Sequence, residues 1–321
     1  MNTIQSKPEL TDPAFVDSKK FVTFLKGDQD RHETMNLPLA MSNVILHKIY
    51  SLSPLKSLSK VTYTSGDKLD VVIDSNDSDD SGWIKDEIIK YDDISAISKT
   101  SIYLHQLFAK PRVAHTLLED QTTNVEDFIH DKITMQMAAA ENKSFLFGDG
   151  ISQPKGILKY EIAIDEKKSH QIEGVIAGEP GKIENYSKIV ELMERLPSKY
   201  LSRASWIMSR NAASHIRTIR DETTGKFLWQ NSIACGVPDT LLGYPVVICD
   251  DMPKVTAEKK CVPVLFANLY EGYHIAENPN INILKDPFNA KPFIEFYATK
   301  RIGGDVVNFD AIKALVLQKG E

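Results

Sequence analysis

The chain has 321 residues, 42% of them hydrophobic, enough for a sizeable buried core and about two domains. Its 38 basic and 44 acidic residues leave a net charge of -6, which excludes a general pull towards nucleic acid or anionic membrane. No apolar run approaches the ~20 residues of a membrane-spanning helix, no basic-then-apolar signal opens the chain, and three scattered cysteines make no disulfide framework, so synthesis in a reducing cytoplasm is expected.

Residues 1–45 are polar and lack a sustained apolar period. They read either as a disordered tail or as an arm that orders on a neighbouring subunit, with Phe15, Phe21, Phe24 and Leu25 available for burial. Lys68–Ile73 and Ser101–Phe108 read as strands. The acidic stretch between them is too long for a hairpin turn, and fits a β-hairpin that leaves the body of the subunit.

The clearest helix is Asn124–Phe147. Val125, Ile129, Ile133, Met137, Ala140, Ser144 and Phe147 recur on one face, and Phe128 widens that stripe. Thr123 with Glu126 makes a capping box, and Gly148 a terminator. At ~1.5 Å per residue the helix is roughly 35 Å long, the span of a whole domain. A second helix covers Tyr186–Leu196 and stops at Pro197. Ala204–Met208 reads as a buried strand, and Ser209 caps a short helix carrying Ala212, Ile216 and Ile219. From Tyr244 onwards the chain is β-rich, ending in the long alternation PFIEFYATKRI and the apolar AIKALVLQ. Strands before and after a long helix make the class α+β.

Catalytic patterns are missing. The sequence has no G-x-x-x-x-G-K-[ST] loop, no H-E-x-x-H, no G-x-S-x-G and no C-x-x-C. Gly148-Asp149-Gly150 ends a helix, whereas a phosphate needs a helix N-terminus. Counting from Asp74 as a calcium loop places Asp79 where glycine is required and Lys85 where glutamate is required. His130, His215, Cys249 and Cys261 read as packed or satisfied residues, and Trp83, Trp206 and Trp229 as packing. The expectation is no catalytic residue, no metal and no cofactor.

Three segments in order carry a resemblance. They are LFAKPRVAHTLLEDQTTNVEDFIHDKITMQMAAAENKSFLFGDGISQPKGIL from Leu107 to Leu158, ASWIMSRNAASHIRTIRDETTGKFLWQ from Ala204 to Gln230, and VPDTLLGYPVVICDDMP from Val237 to Pro253. Together they resemble the major capsid proteins of tailed bacteriophages of the Hong Kong 97 (HK97) type. The resemblance implies a peripheral domain (46–63, 102–182 and 286–321) with the long helix as spine on a β-sheet. It also implies an axial domain (183–285), an extended loop (64–101) and an N-terminal arm (1–45). A lone hairpin is marginal in water and must be buried on a partner. Trp83, Ile84, Ile88 and Ile89, with Lys85, Glu87 and Lys90 beside them, are the expected subunit contacts.

Some members of that family weld their shells by a lysine–asparagine isopeptide bond aided by a glutamate. Lys90 falls near the lysine position, but Pro292 and Thr299 fall near those of the asparagine and glutamate, so no cross-link is expected. The resemblance implies hexamers and pentamers of this chain, a shell around double-stranded DNA, and a portal and decoration proteins as further partners. No long scaffolding segment precedes the family-like sequence, so either a separate scaffolding protein acts or the sequence is a processed form. Two other readings stand beside it: an encapsulin-like compartment enclosing cargo enzymes, and a hydrolase of small oligomeric state with a deep polar pocket.

Overall fold

The computed structural model describes residues 33–37, 39–74, 97–114, 116–117, 125–164, 170–183, 185–220, 227, 229, 239–256 and 260–318. Two seven-stranded sheets and a separate two-stranded ribbon carry the chain.

The first sheet is built on β15 (Phe293–Val306), a strand of 14 residues. Its order is β1 (Glu33–Asn36), β14 (Asn282–Asp286), β15, β13 (Tyr273–Glu277) and β2 (Lys60–Tyr63). The other side of β15 takes β5 (His105–Ala109) and β6 (Arg112–Ala114). Alternation along β15 turns Ile294, Phe296 and Ala298 to one face, where they are buried. The long helix α3 (Val125–Phe147) covers that face with Ile129, Ile133 and Met137. Helix α1 (Leu39–Leu52) seals it with Ile45, Leu46 and Ile49, all nearly or wholly buried. Each such side chain contributes roughly 1.5–3 kcal/mol by burial. Lys48 of α1 meets Asp131 of α3 at 2.7 Å on the solvent side.

The second sheet runs β10 (Thr240–Leu241), β11 (Tyr244–Ile248), β9 (Ser205–Met208), β12 (Cys261–Ala267), β16 (Ile312–Leu317), β8 (Ile172–Gly178) and β7 (Ile162–Ala163). Its central strands are buried on both faces, so they read as unbroken apolar runs. Trp206, Met208, Val264, Phe266 and Leu315 face α4 (Tyr186–Glu194) and α5 (Arg210–Arg217). The alternate residues Ile207, Leu265, Ala314 and Val316 face a seam shared with the first sheet. There they meet Phe145 and Leu146 of α3 and Tyr273, Ile275 and Ile302 of β13 and β15. The C-terminal end of α3 therefore joins both sheets.

Four expectations are corrected. Of the stretch 1–45, the described residues 33–37 and 39–45 belong to the body, because β1 pairs in register with β14 from Glu33↔Lys285 to Asn36↔Asn282 and α1 packs in the core. Ser101–Phe108 is not one strand. It breaks at Leu104 into β4 (Ile97–Tyr103), which pairs with β3 (Lys68–Asp74), and β5, which pairs with β15. The inward positions change phase there, from Ile102 and Leu104 to Leu107 and Ala109. The divisions at 183 and 285 do not follow the sheets either. β13 and β14 lie in the first sheet, while β7, β8 and β16 lie in the second, because β16 inserts between β12 and β8.

The fourth correction concerns the helix stripe. Ile129, Ile133 and Met137 are 0% exposed, whereas Phe128 and Phe147 are each 38% exposed and Ala140 is half-buried. The buried line continues in steps of four through Glu141 to Phe145. A charged residue on that line diverts a reading by hydrophobicity onto Ala140 and Phe147. The side chain of Val125 lies outside the described residues.

Candidate subunit interface

The helix-end turn is the best-defined feature. The Gly148 N–H donates to the Ser144 carbonyl at 2.8 Å, closing the last turn of α3. The Gly156 N–H returns to the Gly148 carbonyl at 3.0 Å, so residues 148–156 form a closed loop. Inside it, Asp149 Oδ1 accepts from the N–H groups of Ile151 (3.0 Å), Ser152 (3.0 Å) and Gln153 (3.2 Å). Its Oδ2 accepts from the Ser152 hydroxyl at 2.7 Å. These bonds, led by that from Ile151, hold the carboxyl well below the usual carboxylate range. The loop is pinned to the first sheet, because the Lys155 N–H donates to the Gly304 carbonyl and the Tyr273 hydroxyl donates to the Lys155 carbonyl, both at 2.9 Å. Lys155 lies 3.9 Å over the Tyr160 ring, and the Tyr160 hydroxyl donates to Asp305.

Behind the turn lies a buried ring of charge. Lys56 of α2 (Pro54–Leu58), Glu141 of α3, Glu277 of β13 and Lys300 of β15 all have side chains no more than 1% exposed. Lys56 Nζ is 2.7 Å from Glu277 and 3.3 Å from Glu141. Lys300 Nζ is 2.6 Å from Glu277 and also contacts Glu141. Two positive and two negative charges thus alternate with no net charge. Burial alone would raise the Glu277 carboxyl, yet Lys300 and Lys56 outweigh it and hold it low. Burial alone would lower the Lys300 ammonium, yet Glu141 and Glu277 outweigh it and hold it high. Sequence reasoning missed this ring, whose only trace is a glutamate four residues after Met137 and four before Phe145.

The β3–β4 ribbon pairs from Lys68↔Tyr103 to Asp74↔Ile97. Its root is fixed by Leu69 and Val71 against Ile102 and Leu104, and by Arg301 on Asp67. Further out, Asp70 accepts from Ser101 at 2.6 Å and pairs with Lys99 at 2.9 Å. The Ser101 hydrogen bond, then Lys99, draws this carboxyl down to about 2. Val72 is 66% exposed and Tyr103 60% exposed, so the ribbon presents apolar side chains to solvent. The expected contacts Trp83, Ile84, Lys85, Glu87, Ile88, Ile89 and Lys90 lie outside the described residues. Thr299, considered for the cross-link, sits within β15 opposite Asn282 and Phe108.

Among the described residues, no group of His, Cys, Asp and Glu side chains is placed to hold a metal ion. A half-open hollow of about 650 Å³ lies where β13 and β14 part along β15. Its walls are mostly polar, with Gln106, Asn278, Asn280, Asn282 and Arg301 beside Leu37 and Ile281, and hold no histidine, cysteine or carboxylate to act as a base. No helix is long and apolar enough to cross a membrane among the described residues.

One buried histidine adds to the fold's sensitivity to acid. His274 of β13 is buried beside Lys60, and its Nε2 lies 2.8 Å from the Thr62 hydroxyl. Burial, then Lys60, pulls its pKa from 6.5 down to about 4. The unfolded chain therefore binds the extra proton first. Stability from the neutral ring is present above pH 6.5 and is lost as the pH falls towards 4. We expect a loss on the order of 2 kcal/mol from this group, read from denaturant midpoints at pH 7 and pH 4.5. His274→Gln should flatten that part of the profile, and an unchanged slope would reject the assignment.

The profile of the phage capsid family matches residues 35–317, which span both sheets, the long helix and the glycine turn. The chain belongs to the phage capsid family. This capsid protein has the HK97-type fold and is a structural protein of shells. It is 33% identical to the capsid protein of an empty gene transfer agent (GTA) particle, over 84% of this chain and 90% of that one, with a TM-score of 0.70. For the native GTA particle the identity is 34%, the coverage 84% and 91%, and the TM-score 0.72. The capsid of both particles was computed with C5 symmetry. A chain from Gordonia phage Cozz shares the fold at 13% identity, covering 84% of this chain and 87% of that one, with a TM-score of 0.56. No curated protein matches the chain.

Proposed function

We propose that this capsid protein is the major coat subunit of a tailed phage or phage-like particle. It forms hexamers and pentamers that close an icosahedral shell around double-stranded DNA. The observation that carries this reading is the 33–34% identity to GTA capsid proteins along 84% of the chain. A net charge of -6 suits a wall that encloses DNA without gripping it. Many weak contacts repeated around closed symmetry stabilise such a shell without any one tight interface.

In this reading the first sheet, with α3 and α1, is the peripheral unit, and the second sheet with α4 and α5 is the axial unit. Residues 64–101 form the extended loop that lies across a neighbour, and the residues before β1 reach another subunit. A separate scaffolding protein, a portal and decoration proteins are the proposed partners. Lys90 takes no part in a covalent weld.

Negative-stain electron microscopy of the purified protein, alone and with its neighbouring gene products, tests the proposal. Hollow shells containing nuclease-protected DNA are expected, running as a single monomer band on a reducing denaturing gel. Shells filled with an enzyme and no DNA would favour a cargo compartment. Small oligomers under every condition would overturn the coat reading, and a ladder of multimers on the gel would overturn the absence of welding.

A further inference from the structure

The hollow in the first sheet has polar walls that the fold itself does not use. β14 leaves β15 at Asn282↔Thr299, and β13 joins it only at Glu277↔Ile302, so the hollow opens beside Lys300 and Arg301. Thr299 stands opposite both Asn282 and Phe108, and Arg301 stands opposite Gln106. Directly paired positions share a face of a sheet. This face is turned away from α3, because Phe296 and Ala298 take the other. The side chains of Gln106, Asn280, Asn282 and Thr299 make no hydrogen bond among the described residues. The Asn278 carboxamide already accepts from the Asn280 N–H at 3.0 Å.

The chemistry of the walls narrows the ligand. Each cation beside the hollow already has a carboxylate: Arg301 has Asp67, Lys300 has Glu141 and Glu277, and Lys110 has Glu295 at 3.9 Å. A phosphate or carboxylate ligand would have to displace one of them. The apolar walls are only Leu37 and Ile281, 7% and 1% exposed, too little for a hydrophobic ligand. Carboxamides both donate and accept, which is what a hydroxyl group needs. At the rim, Phe108 is 54% exposed and stacks on Tyr297 with ring centroids 5.7 Å apart. The negative face of such a ring attracts C–H groups. Hydroxyl groups beside a C–H face describe a sugar.

We propose that this hollow binds a neutral saccharide, with Gln106, Asn280 and Asn282 holding its hydroxyl groups and Phe108 flanking one face of the ring. Its volume of about 650 Å³ falls within the usual range of small-molecule sites. The inference goes beyond the coat reading, because a single subunit carries the whole site. A few hydrogen bonds and one ring contact make a weak site. Many copies on one particle would turn weak sites into firm attachment to a polysaccharide.

Saturation-transfer NMR on the purified subunit tests this, with neutral hexasaccharides of glucose, galactose, mannose and N-acetylglucosamine as the probes. At least one probe should receive saturation from the protein. Asn282→Ala and Phe108→Ala should each weaken its binding at least about fivefold. Both variants should keep the wild-type thermal midpoint, because both side chains are exposed. Phe128→Ala, at an exposed aromatic of α3 on the other side of the sheet, should leave binding unchanged. Absence of transfer to all the probes, wild-type binding by the two hollow variants, or binding of a heparin hexasaccharide alone would overturn the site. The same probes applied to assembled shells extend the test. Binding lost on assembly would mean that a neighbouring copy covers the hollow, and would also overturn it. Failure of the protein to form shells would strike the coat reading and leave the subunit measurement standing.

Discussion

Replacing Lys300 by methionine should destabilise the subunit by about 3–5 kcal/mol. The ammonium it removes is wholly buried and lies between Glu141 and Glu277. Once it is gone, two carboxylates share only Lys56, at 2.7 and 3.3 Å. The cost comes chiefly from the buried charge left without a partner, more than from the lost attraction. Guanidinium melts of the wild type and Lys300→Met would show it as a lower midpoint at unchanged slope.

Replacing all four ring residues together by apolar side chains of similar volume should recover most of the loss, because no charge then remains to be desolvated. A Lys300→Met cost below ~1 kcal/mol would mean that water reaches the ring. The same ring sets a pH window. Glu277 is held low, so its contribution is present above its unfolded pKa of roughly 4.3 and fades as the pH falls through the folded value. Lys300 is held high, so its contribution is present below roughly 10.4 and fades as the pH rises through the folded value.

The second large effect is steric. A methyl group on Gly148 would lie 1.8 Å from the Pro154 carbonyl oxygen and 2.6 Å from that of Ser144. Both obstacles are backbone, and the loop that carries Pro154 is tied back by Gly156, whose own Cβ would meet Leu146 at 2.5 Å. Neither strand of that crossing can retreat without parting α3 from the first sheet. Gly148→Ala should therefore cost more than about 4 kcal/mol and leave most of the protein insoluble.

Gly243→Ala makes the contrast. Gly243 has φ +85° with nothing within 4 Å of a built Cβ, so only its backbone conformation resists. A cost of about 1–2 kcal/mol is expected there. Soluble, cooperatively melting Gly148→Ala would show that the crossing can open. Comparing the two variants by expression yield and thermal melting separates close approach from backbone conformation.

The long helix was legible because four-step periodicity survives in composition: Ile129, Ile133 and Met137 state it plainly. What followed was not, because the next residue on the line is Glu141, whose partners stand at positions 56, 277 and 300. A charge that belongs in the core looks like a surface residue until distant chain segments are brought beside it. The glycine turn was recognisable as a helix stop, but its tie to Gly304 and Tyr273 spans more than a hundred residues. The break at Leu104 leaves only a change of phase, from Ile102 and Leu104 inward to Leu107 and Ala109 inward, which is easily passed over in so short a stretch. The interface side of the sequence reading, from Trp83 to Lys90, draws on family resemblance and lies outside the described residues.

The placement of β15 and β16 has a consequence for how the subunit is made. β15 alone joins β5, β6, β13 and β14, and β16 sits between β12 and β8. Both come after all the other described strands in chain order. While the ribosome is still translating residues 293–317, the first sheet lacks its central member and the second is split in two. The apolar faces of α1, α3 and β9 have by then been outside the ribosome, uncovered, for seconds at ordinary rates of synthesis. Folding must therefore wait until residues 293–317 have left the ribosome, and during that wait the nascent chain is a natural client for chaperones.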